Sequence, residues 1–313
     1  MGFQGPLHIK YRPSVFSEFI GNEPTVEALK SVLKREGKDQ IKTYLFSGPS
    51  GCGKTTLARI ISKELGCFET DFFEYNVANT RGIDTIRDLI QKARYAPLKG
   101  DIKIYLLDEA HKLTSDAQNA LLKILEDTPD HVRFILCTTE ENKLILTIRN
   151  RATVFPVNRI PRPVMAGFLK GIAKKEGVEF AEKYYTEIAS VSEGSPRMAL
   201  AILDKIIDIE DDEEAFNAIS SANFDEMEVK KLIDYLMSQG KKSWKEVSKI
   251  VKNLDLTGSK PEEIRVAIAR YFGTVLLNRG DPWSHRVMAM FASEPWFYTG
   301  REKLLDTLWE LCK

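Results

Sequence analysis

The sequence predicts an α/β protein in which a parallel sheet is covered by helices on both faces and is followed by an all-helical remainder. Three observations predict it. Helix-period and strand-like segments alternate as far as about Pro161. The strand-like runs are short and apolar along their length, as strands buried on both faces are. Beyond Arg159-Ile160-Pro161-Arg162-Pro163, whose prolines mark a boundary, every periodic segment is helical.

The elements follow in order. Asn22 is placed to cap an amphipathic helix over 23–35 that stops at Gly37. A strand over 42–46 leads to a helix over 53–65 closed by Gly66, then a strand over 72–75 and a helix over 83–93. A strand over 102–107 precedes a helix over 115–126 with Pro129 beyond it, followed by a strand over 133–138. Helices over 164–175, 181–192 and 196–207 are joined through Gly177 and Gly194. The acidic stretch 208–214 separates them from helices over 227–237, 243–254, 261–277 and 301–311. In such a sheet, ligands bind beyond the carboxyl ends of the strands.

Residues 48–55, Gly-Pro-Ser-Gly-Cys-Gly-Lys-Thr, fill every position of a G-x-x-x-x-G-K-[ST] phosphate loop between a strand and a helix. Gly48, Gly51 and Gly53 let backbone N–H groups turn toward phosphate oxygens, and Cys52 and Thr56 complete the cradle with the positive end of the next helix. Lys54 neutralises the β- and γ-phosphates, and the Thr55 hydroxyl takes a position on Mg²⁺. The chain is therefore expected to bind ATP with Mg²⁺. The run Ile102-Lys103-Ile104-Tyr105-Leu106-Leu107 ends in Asp108-Glu109-Ala110-His111, a strand delivering acids to its carboxyl end. Asp108 suits the Mg²⁺ shell, and Glu109 can orient the attacking water.

Composition restricts the partners. Lys and Arg number 45 against 45 Asp and Glu, so no global field marks a nucleic-acid binder and any DNA contact is local or shared among subunits. Four scattered cysteines lack C-x-x-C spacing, which argues against structural zinc and a secreted disulfide framework and for reduced thiols in the cytoplasm, a host's cytoplasm for a phage protein. Neither an export signal nor a membrane-spanning stretch is predicted.

Many segments in a fixed order carry a family likeness: Lys10-Tyr11-Arg12-Pro13 leading to Phe16 and Ile20-Gly21, the phosphate loop, Arg81-Gly82-Ile83-Asp84, and Tyr95-Ala96-Pro97. They continue through Asp108-Glu109-Ala110-His111-Lys112-Leu113, Asn119-Ala120-Leu121-Leu122-Lys123, Phe134-Ile135-Leu136-Cys137-Thr138-Thr139 and Gly194-Ser195-Pro196-Arg197-Met198-Ala199-Leu200. The sequence resembles the AAA+ ATPase subunits of DNA polymerase sliding-clamp loaders, similar to the bacterial gamma/tau type, to replication factor C small subunits and to phage loaders. The bacterial type carries a zinc-binding cysteine insertion after the phosphate-loop helix, absent from the compact stretch 67–81 here, so the branch stays open. Beyond about Asp208 only the helical character fits.

The resemblance implies three domains: a RecA-like AAA+ nucleotide-binding domain over 1–160, a helical lid over 161–210 and an all-α collar for oligomerisation over 211–313. It implies that Tyr11 and Ile20 line the adenine and ribose pocket, that Thr139 is sensor 1, and that Arg197 is sensor 2. Arg151 would be an arginine finger acting on a neighbouring subunit, although Asn150 and Ala152 replace the flanking Ser and Cys of the family motif. Arg149 lies two residues away, and on one strand both would face the same side. The implied partners are a sliding clamp, primer–template DNA and other loader subunits in a pentameric assembly, with the helix over 86–97 toward the clamp. Arg81, Arg87 and Lys112 are candidates for backbone contacts to DNA. A DEAH-type helicase or other nucleic-acid translocase is the alternative, though it requires a second RecA-like domain where this chain turns helical. A non-enzymatic scaffold subunit would lack the working phosphate loop present here.

Overall fold

Strands form where β-branched, aromatic and leucine side chains predominate, and among the described residues they are five: β1 (Thr43–Ser47), β2 (Phe72–Asn76), β3 (Lys103–Asp108), β4 (Val132–Thr138) and β5 (Thr153–Pro156). The computed structural model describes residues 5–35, 40–77, 82–209, 211–220, 227–238, 240–254, 256, 260–292, 296 and 300–313. All pairings are parallel, in the order β2-β3-β4-β1-β5. Side chains alternate cleanly between the faces. Ile104, Leu106, Ile135, Cys137, Tyr44 and Phe46 enter one core cluster, whereas Tyr105, Leu107, Phe134, Leu136 and Leu45 enter the other. Both faces are thus buried, so a period-2 structure reads as an unbroken apolar run.

Helices α1 (Leu7–Lys10), α2 (Glu23–Leu33), α3 (Lys54–Glu64), α4 (Ile83–Ala93), α5 (Ser115–Glu126) and α6 (Leu146–Arg151) belong to this region. Val26, Leu29, Leu57 and Ile61 carry α2 and α3 onto one face, and Ile86, Leu89, Leu121 and Ile124 carry α4 and α5 onto the other. Gly66 ends α3 with φ +70°: the Cys67 N–H bonds the Ser62 carbonyl and the Gly66 N–H the Lys63 carbonyl, a left-handed closure that favours glycine. Three further helices, α7 (Arg162–Lys175), α8 (Glu182–Val191) and α9 (Pro196–Ile206), complete a compact unit spanning residues 1–207.

Residues 208–313 form a second compact unit. The secondary structure of its described residues is helical: α10 (Asp212–Ser220), α11 (Met227–Met237), α12 (Trp244–Val251), α13 (Lys260–Arg279), α14 (Pro282–Phe291) and α15 (Gly300–Leu311). Leu232, Leu236, Val247, Ile268, Phe272, Phe291, Leu304 and Leu308 fill its core.

Three sequence expectations change. Asn22 does not cap α2; in a left-handed conformation, its side chain accepts the Asn158 N–H at 2.6 Å and donates to the Asn158 carbonyl at 3.1 Å, tying the helix start to the chain after β5. Arg149 and Arg151 lie on helix α6, not a strand, so at 100° per residue they point to opposite sides. Part of the acidic stretch 208–214 is helical, since α10 begins at Asp212. The expected stop at Gly37 lies outside the described residues.

Candidate nucleotide-binding site

The carboxyl ends of β1 and β3 open onto a cleft. Its floor is the phosphate loop. Gly48 runs so close to the chain just after β5 that a Cβ there would stand 1.9 Å from the Val157 carbonyl oxygen. At Gly51, with φ +73°, a Cβ would meet the Ser195 hydroxyl at 2.2 Å, and at Gly53, with φ +100°, it would strike the Phe19 ring at 2.7 Å. Gly48 and Gly51 are therefore spatially required, and Gly53 is crowded by an aromatic ring. Gly53 sits at the N-cap of α3 without a side-chain cap, so the first N–H groups of the helix stay available to an anion.

Lys54 is buried, 6% exposed, and its Nζ donates to the carbonyls of Gly48 at 2.7 Å and Pro49 at 2.8 Å. Burial pulls its pKa below the usual lysine value, with the carboxylates of Glu109 and Asp108 opposing. The Thr55 hydroxyl donates to Asp108 Oδ2 at 3.1 Å, while Asp108 Oδ1 accepts the Glu109 N–H at 3.0 Å. Glu109 itself adopts φ +55°, a left-handed conformation unusual for a non-glycine, of the kind that concentrates at functional sites. Its Oε2 lies 3.4 Å from Nδ1 of His111, a ring that also meets the Thr138 hydroxyl at 3.1 Å.

The roof comes from two directions. The N-terminal segment supplies Tyr11, Arg12, Pro13, Phe19 and Ile20, and α7 and α9 supply Phe168, Pro196, Arg197 and Leu200. The Tyr11 hydroxyl donates to Glu176 at the end of α7, and Lys10 pairs with the same carboxylate at 2.7 Å. Desolvation, then the Glu176 hydrogen bond and charge, push the Tyr11 pKa up to about 12. The Ser195 hydroxyl caps α9 by accepting the Met198 N–H at 3.3 Å, with Pro196 pre-set in the first turn and Arg197 beside it.

Comparison with known proteins places this geometry. Residues 70–161 match the family described as DNA polymerase III, delta subunit. The chain is 36% identical over 224 residues to the DNA polymerase III subunit gamma/tau of Mycobacterium tuberculosis H37Rv, covering 64% of this chain and 38% of that protein. It is 35% identical over 233 residues to the Bacillus subtilis subunit tau, covering 68% of this chain and 41% of that one. The chain is a relative of the DNA polymerase III gamma/tau subunits. The resemblance read from the sequence is borne out, although the chain spans only about two fifths of the length of these curated relatives. Among solved structures, the Thermotoga maritima RuvB Holliday junction branch migration motor superposes with a TM-score of 0.59 at 21% identity, over 80% of this chain and 88% of that chain. That likeness establishes the AAA+ fold.

In this gamma/tau relative the cleft brings together Tyr11, Ile20, Gly51, Cys52, Gly53, Lys54, Thr55, Thr56, Asp108, Glu109 and Arg197, all anticipated from the sequence, and Gly48 contributes its carbonyl to Lys54. It does not include Thr139, which follows the end of β4; the hydroxyl turned toward His111 there is that of Thr138. Arg151 ends α6, donates to the Thr147 carbonyl at 3.2 Å, pairs with Glu126 at 2.6 Å and lies beside Lys42 and Thr153 at the amino edge of the sheet. Arg87 is an exposed residue of α4 paired with Asp84 at 3.4 Å, Lys112 is exposed after β3, and Arg81 lies outside the described residues. Sequence reasoning gave no site role to Arg12, Phe19, Phe168 or Leu200. Arg12 and Phe19 flank residues already singled out, whereas Phe168 and Leu200 read as ordinary helix positions and left no signal.

Proposed function

We propose that this chain is the ATP-hydrolysing subunit of a DNA polymerase clamp loader, which opens a sliding clamp and loads it onto primer–template DNA. One observation carries the reading: in a gamma/tau relative, Lys54, Thr55, Asp108 and Glu109 converge on one cleft, the residue types that nucleotide hydrolysis uses. The residues fit ATP and Mg²⁺. The crowded glycines leave room for phosphates and not for side chains, and the Thr55–Asp108 pair offers two hard oxygens 3.1 Å apart. Mg²⁺ keeps most of its shell from water and phosphate, so two protein oxygens suffice. When bound there it would neutralise charge on the outer phosphates.

The chain's own residues do the rest. Lys54 exchanges its two carbonyl partners for phosphate oxygens, Glu109 accepts a hydrogen bond from the attacking water and aims it, and Arg197 reaches the phosphates from the lid. Tyr11 and Ile20 enclose the base and exclude water. Thr139, as sensor 1, would turn its hydroxyl toward the water or the γ-phosphate.

Distance supports Arg151 as the finger for another subunit. It precedes β5, whose first residue pairs beside Tyr44 near the start of β1, while the phosphate loop follows the end of β1. Five strand residues span about 16 Å, beyond the reach of one arginine side chain. Arg151 is therefore too far from its own cleft to act there; as a finger it would complete a neighbour's site, and the isolated chain should hydrolyse ATP slowly. An arginine supplied in this way raises rates by roughly 10³–10⁵. Nucleotide shared across a subunit seam gives the closed assembly the differential affinity that a switch needs. Arg81, Arg87 and Lys112 would contact the phosphate backbone of DNA.

The test is ATPase rate for the purified chain alone, with companion subunits, and then with primed DNA and the cognate clamp. Strong stimulation only when DNA and clamp are both present is expected; ATP-driven unwinding by the chain alone would replace the proposal with a helicase. Arg151→Ala that remained fully active in the assembly would remove the finger.

A further inference from the structure

Of the four residues Asp108-Glu109-Ala110-His111, the last has no part in the reading above. Its side chain is 5% exposed and lies behind the wall of the cleft, not in it. Nδ1 lies 3.1 Å from the Thr138 hydroxyl and 3.4 Å from Glu109 Oε2, and Nε2 lies 3.5 Å from Glu140 Oε1. The Thr138 oxygen also accepts the Glu140 N–H at 3.0 Å, and Glu140 pairs with Lys143 at 2.8 Å. Each of the ring's three neighbours thus presents an oxygen, two of them carboxylate. A bare Nδ1 lone pair would face the lone pairs of Glu109, so the network places a proton on Nδ1, shared between hydroxyl and carboxylate.

The supports of the ring are rigid. Thr138 is fully buried at the end of β4, in register with Ser47 of β1, and its carbonyl accepts the N–H of Gly48 in the phosphate loop at 3.1 Å. The turn Ala110–Lys112 that carries His111 closes back on Glu109, whose carbonyl accepts the Lys112 N–H at 2.9 Å. His111 therefore stands between a strand end tied to the phosphate loop and a carboxylate carried on left-handed backbone. Glu109 Oε2 meets the ring, and among the described residues Oε1 has no hydrogen-bond partner. One oxygen anchored and one free is what a carboxylate that aims a water needs.

We propose that His111 is a positioning residue for Glu109: it anchors one carboxylate oxygen against the end of β4, so that the other is held toward the attacking water. The inference rests on the hydrolytic reading of the same cleft. The ring touches neither nucleotide nor water, so its loss should slow the chemical step and leave ATP affinity alone. Misplacing a reacting group by about 1 Å costs roughly 100-fold, which sets the scale of the effect.

The experiment measures ATP affinity by calorimetry and single-turnover hydrolysis per bound ATP, with thermal unfolding as a check on folding. The proteins are the wild-type chain, His111→Ala, His111→Asn, His111→Gln, Glu109→Gln, and the double variant that joins His111→Ala to Glu109→Gln. His111→Ala is expected to slow hydrolysis roughly 10- to 100-fold with ATP affinity within about twofold of wild type. Asparagine puts an NH₂ close to the place of Nδ1 and glutamine close to that of Nε2, so Asn should recover most of the rate and Gln little. That pair decides the matter where the alanine variant does not fold. The double variant should be no slower than Glu109→Gln, because the ring acts only through that carboxylate. A fall of less than about tenfold in a folded His111→Ala, equal rates for Asn and Gln, a further loss in the double variant, or a loss of ATP affinity that matches the loss of rate each overturns the inference while leaving the nucleotide site intact. Wild-type protein that fails to bind ATP, or Glu109→Gln that hydrolyses it normally, overturns the underlying reading and this inference with it.

Discussion

Asp71→Asn removes half of a buried clamp without changing its shape. Asp71 is fully buried before β2; its Oδ1 accepts the Leu98 N–H and its Oδ2 the Lys99 N–H, each at 2.7 Å. Burial alone would push this carboxyl up, but the two amides and the Thr70 hydroxyl outweigh it and hold the carboxyl below its ordinary value. Asparagine offers one oxygen and one NH₂, so one backbone N–H would face a donor. A lost charge-assisted bond costs about 1.5–3 kcal/mol and a stranded buried donor about 1–3 kcal/mol; because the two overlap, about 3 kcal/mol is expected. For a unit of this size that is a drop of roughly 6–12 °C in Tm. The sign with pH follows from the depressed folded pKa: the stabilisation is present above the unfolded value near 3.9 and is lost as pH falls through the folded one, so wild type and variant converge in acid. The same loop exposes Tyr95 and Leu98 and is also held by Lys103, whose Nζ donates to the carbonyls of Tyr95 and Ala96. Since Asp71 is outside the cleft, ATP affinity should not change, whereas stimulation by the clamp should fall. Urea unfolding at pH 7 and in acid, with hydrogen exchange at Leu98 and Lys99, is the assay. A loss below 1 kcal/mol with both amides still protected would refute the reasoning.

Other consequences follow from the cleft. Lys54→Ala should abolish tight ATP binding, while Glu109→Gln should retain binding and stall turnover, read by equilibrium binding beside steady-state hydrolysis. Because burial lowers the pKa of Lys54 and phosphates favour its charged form, ATP binding at alkaline pH should take up a proton and weaken as pH rises; calorimetry in buffers of different ionisation enthalpy measures the uptake. Gly48→Ala, whose Cβ meets a backbone oxygen, should lose both ATP binding and thermal stability; Gly53→Ala, facing the movable Phe19 ring, should fold and bind more weakly.

The sheet and the floor of the cleft were legible because each is dictated locally. Buried parallel strands write themselves as apolar runs, and a phosphate loop needs glycine wherever a Cβ would collide, as at Gly48 and Gly51. The start of α2 was misread because a side chain cannot announce a partner 136 residues away: Asn22 satisfies Asn158 instead of its own helix. Helix α6 was missed because six residues between two strands are too short for a 3.6-residue period to emerge.

Whether Arg151 can act in another subunit depends on the cost of releasing it here. Its ion pair with Glu126 is partly exposed, with side chains 31% and 65% accessible. Such pairs are worth about 0–1 kcal/mol, because water and salt screen them and two long side chains must be held still. Breaking the pair would therefore reduce a trans contact by no more than about fivefold, small beside the roughly 10³-fold or greater gain that an arginine finger supplies. If Arg151 is the finger proposed above, Glu126 would act as a parking site that keeps the guanidinium ordered at the sheet edge until a neighbour's phosphates replaced the carboxylate. Glu126→Ala should leave ATP binding unchanged and alter assembly-dependent hydrolysis by less than fivefold, in the direction of an increase, whereas Arg151→Ala should remove most of it. If Glu126→Ala fell as far as Arg151→Ala, the carboxylate would be aiming the arginine and not merely holding it, and the low cost assigned to the pair would be wrong.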